Sequence, residues 1–174
     1  FSINKSGPKN GITGTLNTGD GEIDITNLGG GILVQTNAGV VGDEMHFTMG
    51  TSKGSFTTGT GVTIVAPDEL TFQAAGGSIG GKSLVNINTS LLQANTNGKG
   101  VVGFNNLFSG AMTLLDSSAG GNFTLRTAGS ATLNDIVTGS KESILVTTGA
   151  GNLTVADNAT LTANSGALTL QNTN

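Results

Sequence analysis

The sequence predicts an all-β fold in which short strands coil as a parallel β-helix, a β-solenoid of about six turns at roughly 29 residues per turn. Three observations lead there. Gly121-Asn122-Phe123-Thr124-Leu125 returns thirty residues later as Gly151-Asn152-Leu153-Thr154-Val155, and Ala131-Thr132-Leu133 returns as Ala159-Thr160-Leu161. Short runs alternate polar and apolar residues, which sends one side chain to a core and the next to solvent. Gly and Asn cluster between these runs, and no window of helical length carries apolar residues at the i, i+3, i+4 spacing.

The expected strands follow from the alternation. Glu22-Ile23-Asp24-Ile25-Thr26 is the clearest, and Leu70 to Gln73, Leu84 to Ile87, Met112 to Leu114, Phe123 to Leu125, Leu153 to Val155 and Leu168 to Leu170 repeat it. Gly29 to Gly31, Gly76-Gly77, Gly80-Gly81, Asn97-Gly98 and Gly120-Gly121 supply corners, since Gly and Asn tolerate positive φ. An antiparallel sandwich would also fit the strand spacing. The thirty-residue echo spans three strands, however, and a coil returns a strand over itself at such a period. In the N-terminal half the repeat does not align, so Asp43 to Phe47 and Lys99 to Phe108 are expected as irregular turns or loops leaving the coil. The interior is expected to be mainly stacked Leu, Ile and Val.

Composition limits the function. The chain has 174 residues, of which 29 are Gly, 26 Thr and 18 Asn, while only 10% are charged. Low charge with only 2 Pro separates it from disordered sequences. A net charge of -4 with seven Lys/Arg scattered singly leaves no footprint for nucleic acid. No apolar run has the length of a membrane-spanning helix, so membrane insertion is not expected. The absence of Cys removes disulfides and thiolate metal sites. Residues 1–174 are expected to form a single β-solenoid segment; the start at Phe1 without Met suggests a fragment of a longer repetitive chain.

Chemistry-bearing residues are few. Asp20, Glu22 and Asp24 occupy alternate positions, a pattern that suits a calcium-binding edge, an acid/base group or the solvated face of a strand. His46, the single histidine, lies beside Asp43 and Glu44 and could act as a base or a metal ligand, yet no second nitrogen or sulfur ligand accompanies it. No catalytic, cofactor or metal residue is therefore assigned, and no enzyme activity is expected. Sequons at Asn4, Asn88, Asn122, Asn152 and Asn158 are about as many as this composition produces by chance. Thr13/Thr15, Thr58/Thr60 and Thr160/Thr162 are too sparse for an ice-binding rank.

The stretch Gly149-Ala150-Gly151-Asn152-Leu153-Thr154-Val155-Ala156-Asp157-Asn158-Ala159-Thr160-Leu161-Thr162-Ala163, followed by Gly166-Ala167-Leu168-Thr169-Leu170, resembles the repeats of large secreted bacterial adhesins. Filamentous-haemagglutinin-like exoproteins of two-partner secretion and autotransporter passengers use similar phrasing, and the resemblance covers roughly Ala111 to Gln171. Lys9-Asn10-Gly11-Ile12 is faintly similar to an Asn-Pro-Asn-Gly-Ile motif of the exoprotein secretion domain. Here the Pro is displaced to Pro8 and the first Asn is missing, so the secretion role is not carried over. The resemblance implies a right-handed coil, export across the outer membrane as an unfolded chain, and a place at the cell surface or outside the cell. Its role would be stalk, filament or attachment. Expected partners are the chain itself, stacked end to end or continued, and a host or cell-surface receptor or glycan. A β-helical polysaccharide lyase or hydrolase is the alternative, and a phage or viral fibre segment a further one.

Overall fold

A computed structural model of the chain describes residues 2–5, 9–12, 15–36, 38–81 and 83–173, with side chains described from Leu16 onward. Phe1, Pro8 and Thr13, named above, lie outside the described residues. Every strand pairing found is parallel, and strands of successive passages lie directly over one another. Alternation of buried and half-exposed residues gives each strand one inward apolar face, which is covered by the other faces of the coil and by the passages above and below.

Eight passages, or rungs, stack. The first three contain three strands each: β1 (Ser2–Lys5), β2 (Lys9–Ile12) and β3 (Thr15–Asn17); β4 (Ile23–Asn27), β5 (Gly31–Val34) and β6 (Gly39–Val41); β7 (Glu44–Met49), β8 (Phe56–Thr58) and β9 (Thr63–Val65). The next two contain β10 (Glu69–Ala74) and β11 (Val85–Asn88), then β12 (Leu91–Thr96) and β13 (Val102–Asn106). The last three return to three strands: β14 (Met112–Leu114), β15 (Ser117–Ala119) and β16 (Phe123–Thr127); β17 (Ala131–Leu133), β18 (Ile136–Thr138) and β19 (Ile144–Thr148); β20 (Leu153–Val155), β21 (Leu161–Thr162) and β22 (Leu168–Asn172). The first face orders β1-β4-β7-β10-β12-β14-β17-β20, with β15, β18 and β21 beside its upper part. The second orders β3-β6-β9-β11-β13-β16-β19-β22, and the third β2-β5-β8. Single bridges at Ile79 carry the third face from Phe56 up to Val102, where β13 absorbs it. The coil thus has about seven turns.

The register corrects the expected turn length, which is shorter than the sequence echo implies. Asp24 pairs with His46, Glu69 with Leu91 and Ala131 with Leu153, and all three pairs share one and the same sequence offset of twenty-two. The step from Glu44 to Glu69 is three positions longer, and the step from Met112 to Ala131 three positions shorter. The thirty-residue echo is not a stacking repeat at all. Phe123 of the first copy lies under Ile144 on the second face, whereas Leu153 of the second copy lies over Ala131 on the first face. The second echo fails likewise: Ala131 pairs with Leu153, and Leu161 with Ile136. The echo equals one turn plus one face, because the strands of different faces obey the same local rules. The two segments expected to leave the coil are also corrected: Glu44–Met49 and Val102–Asn106 are core strands with every second side chain, or more, buried.

Buried columns run up the coil. Ile23, Met45, Leu70, Leu92, Leu114 and Leu133 stack in register on the first face and are all fully buried. The centre is aromatic rather than purely aliphatic. Phe47 and Phe72 stack at 5.2 Å between ring centroids, and Phe56 meets Phe72 edge-on at 4.7 Å from the third face. Phe104 closes the group from the second face at 5.1 Å from Phe72. Four rings from three faces fill the width that short aliphatic side chains would leave empty.

Higher up, the second face changes character. The column Val40, Ile64, Ile87 continues as Asn106, Thr127, Thr148 and Asn172. Asn106 is fully satisfied: its amide donates to Thr89 O at 2.9 Å and faces Met112 Sδ, while its Oδ1 accepts from Thr89 N and Phe108 N. Thr127 Oγ1 and Thr148 Oγ1 are buried with no partner. Corners off the first face are closed by a side chain reaching a carbonyl a short way along the chain: Asn27 to Gly31 O, Thr96 to Gly100 O and Thr138 to Glu142 O. Next to them, a Cβ at Gly77 would fall on Gly54 O, and one at Gly100 on Gly77 O. Glycine is demanded there by rung-to-rung contact, not by positive φ.

Candidate functional site

Two groups that are separate in the sequence share one face of the coil. Asp24 of β4 lies in register beneath His46 of β7, and Thr71 of β10 lies above it. Glu22 precedes β4, Glu44 opens β7 and Glu69 opens β10, with Glu44 and Glu69 directly paired. The turn length creates the overlap: it sets Glu22 beneath Glu44 and Asp24 beneath His46. All these side chains point outward because the intervening Ile23, Ile25, Met45 and Phe47 point in.

The geometry centres on the imidazole. His46 Nδ1 is 2.6 Å from Thr71 Oγ1, and Nε2 is 3.1 Å from Glu44 Oε1 and 3.6 Å from Glu22 Oε1. With Nε2 donating to the carboxylate, Nδ1 accepts from the Thr71 hydroxyl in the neutral ring and donates to it in the imidazolium. The hydroxyl serves both roles, so the ring keeps its orientation. One ligand atom from each of Glu22, Asp24 and His46 lies within 4.8 Å of the others. The side chains of His46, Glu22 and Glu44 remain 31%, 55% and 47% exposed, which leaves the group open to solutes.

Asp20 does not join this group. It sits in a bend after Gly19, whose φ of 61° turns the chain before β4 begins. There it faces Asp43 and Asp68 at the coil's corner, and Asp68 N and Glu69 N both donate to Asp43 O. Partial burial first, and then the charges of Asp20 and Asp68, push the Asp43 carboxyl above its ordinary 3.8. The alternation of Asp20, Glu22 and Asp24 therefore does not make one triad; two of its members join His46 and the third joins Asp43. Glu69 and Thr71 belong to the same face and carry no motif that singles them out in the sequence. The one available signal is the likeness of Glu69-x-Thr71 to Glu44-x-His46, a glutamate two positions before a polar hydrogen-bonding side chain.

The threonine pairs do not form a rank, since Thr58 ends β8 on the third face and Thr162 ends β21 on the first. A different surface feature lies at the last rung. Val155 continues the column of Leu114 and Leu133, Leu168 that of Phe123 and Ile144, and Leu170 that of Leu125 and Val146. All three are exposed, at 40%, 47% and 38%, where the residues beneath them are fully buried.

Fold and surface together define a parallel β-solenoid protein. Comparison with protein-family models, curated proteins and solved structures finds no match.

Proposed function

We propose that this chain is a structural segment of a bacterial cell-surface or secreted β-solenoid, serving as stalk or filament and in attachment. The observation that supports it best is the last rung, where core columns of Leu and Val stand open with the chemistry of an interior layer. An open solenoid rung calls for a cover, and a further parallel passage both satisfies its strand edges and buries its columns. The partner is therefore more coil of the same kind, continued or supplied by a second copy. Outer faces rich in Thr and Asn, with little charge, suit a rod that meets water along its length. The resemblance of the C-terminal repeats to secreted adhesins points to the bacterial exterior, and a receptor or glycan would meet the lateral faces.

Light scattering and electron microscopy on the purified chain test this reading. Concentration-dependent end-to-end association is expected, lost in the Leu168→Asp/Leu170→Asp double variant while its strand content by circular dichroism stays unchanged. A wild-type chain that remains monomeric at high concentration, with the last rung protected from hydrogen exchange by its own residues, would overturn it.

A second reading, action on a polysaccharide, is favoured by one observation: carboxylates and an imidazole gather on one outer face of a parallel sheet. Assay of uronate and neutral glycans with the wild type and with Glu22→Gln, Asp24→Asn and Glu44→Gln variants decides it. Turnover abolished by one of these changes would replace the structural reading.

A further inference from the structure

From the juxtaposition of Glu22 and Asp24 on one rung with His46 on the next, we propose that this face binds a divalent transition-metal ion of the zinc class. The ion joins two turns of the coil.

Four features of the site carry the proposal. The donor set is mixed, one imidazole nitrogen with carboxylate oxygens, which suits zinc and its first-row neighbours; calcium and magnesium take oxygen alone and would leave the imidazole unused. The ring is already aimed: Thr71 Oγ1, 2.6 Å from Nδ1, can accept the Nδ1 proton, turning the Nε2 lone pair toward Glu22 and Glu44. An outer partner on the second ring nitrogen is how metal-binding histidines are oriented. Asp24 and His46 sit on paired strands in register, and Glu22 immediately precedes the first of these strands. The three ligand atoms lie within 4.8 Å of one another, so little rearrangement is needed to gather them round one ion. Finally, the chain from Asn10 to Ser52 carries five carboxylates and neither Lys nor Arg, so the local field attracts cations. Glu44, whose Oε1 lies 3.1 Å from Nε2, supplies a further oxygen or holds a bound water. On binding, the ion takes the Nε2 lone pair of the ring protonated at Nδ1. A neutral ring that carries its proton on Nε2 exchanges it for one on Nδ1 through solvent, and an imidazolium releases its Nε2 proton to solvent.

The ligands come from positions one full turn apart in the sequence, so the ion would pin the second turn of the coil to the third. This role is independent of the stalk reading, because it concerns stability of the N-terminal turns and not the open rung.

Because His46 is the only histidine, its ring gives a single, unambiguous signal in the full-length chain. Zinc chloride titrated into the 15N-labelled protein is expected to shift or broaden the ring resonances saturably, with a single ion per chain by calorimetry and a raised Tm. Calcium chloride at the same concentrations leaves the ring unmoved. His46→Gln abolishes the saturable heat. Asp24→Asn weakens binding about tenfold, and Thr71→Val does the same while shifting the ring tautomer seen in its 15N shifts. Backbone amide spectra confirm that each variant is folded. Ring resonances unmoved at millimolar zinc, equal heats from the His46→Gln chain, or an equal response to calcium would each overturn the proposal.

Discussion

The lower and upper halves of the coil solve the same packing problem differently. Up to and including β13, three faces surround a wide interior filled by Phe47, Phe56, Phe72 and Phe104, and each rung of the first face is one long strand. Above it, the second and third faces have merged into single strands, the first face has split in two, and the second-face column turns from Val and Ile to Asn and Thr. The number of rungs per length of chain barely changes, so the cross-section does the adapting. A solenoid can redistribute its corners between faces without losing register, provided each new inward position is filled to the local width.

The contrast can be broken at graded cost. Phe72→Ala removes the ring that touches three others and should destabilise by about 3–5 kcal/mol in denaturant unfolding. A loss under about 1 kcal/mol would mean that the lower interior is not the tightly filled one. Asn106→Ala should cost about 1–3 kcal/mol, because Thr89 N and O and Phe108 N lose their partner inside the coil. In the same column Thr148→Val should act with the opposite sign, stabilising by about 1 kcal/mol, since the buried hydroxyl it removes has no partner. Chemical denaturation of both variants checks the reversal directly. Leu170→Asp, on the open rung, should leave stability within about 0.5 kcal/mol of wild type while reducing end-to-end association seen by light scattering.

The smallest effect concerns the acidic corner. The Asp43 carboxyl titrates above its ordinary 3.8, so the folded chain holds that proton more tightly than the unfolded one. Stability contributed by this group is therefore present at low pH and falls as pH rises from about 3.8 through the raised value. Asp43→Asn should be slightly more stable than wild type at neutral pH and lose that advantage on acidification, as thermal melts across the range would reveal.

Much of the fold was legible in the sequence, and the reason the echo misstates its period is physical. Ile23 to Ile25, Leu70 to Phe72, Met112 to Leu114 and Leu168 to Leu170 announce strands because alternation is a local property. Which face a strand occupies is not local. Gly-Asn-Phe-Thr-Leu at 121–125 and Gly-Asn-Leu-Thr-Val at 151–155 look alike because each is a corner followed by a strand of alternating apolar and polar residues, although one belongs to the second face and the other to the first. The true step from rung to rung keeps mainly hydrophobic character in register, as from Met45 to Leu70 to Leu92, with a few polar identities such as Thr113, Thr132 and Thr154, and that signal is weak where residue types vary. The phenylalanine cluster was illegible for the same reason, since its members come from three faces. At the candidate site, Asp20/Glu22/Asp24 and Asp43/Glu44/His46 were each visible, but their union depends wholly on the turn length.

Paired cysteines test that turn length most directly, in a chain that has none of its own. Thr132 and Thr154 are register partners on the first face, whereas Thr124 and Thr154 occupy equivalent places in the sequence echo on different faces. Under mild oxidation Thr132→Cys/Thr154→Cys should form a disulfide, because paired strands bring Cα atoms within its roughly 4.4–6.8 Å reach. Thr124→Cys/Thr154→Cys should stay reduced. A cross-link in the second pair with none in the first would contradict the shorter coil and restore the period of the echo.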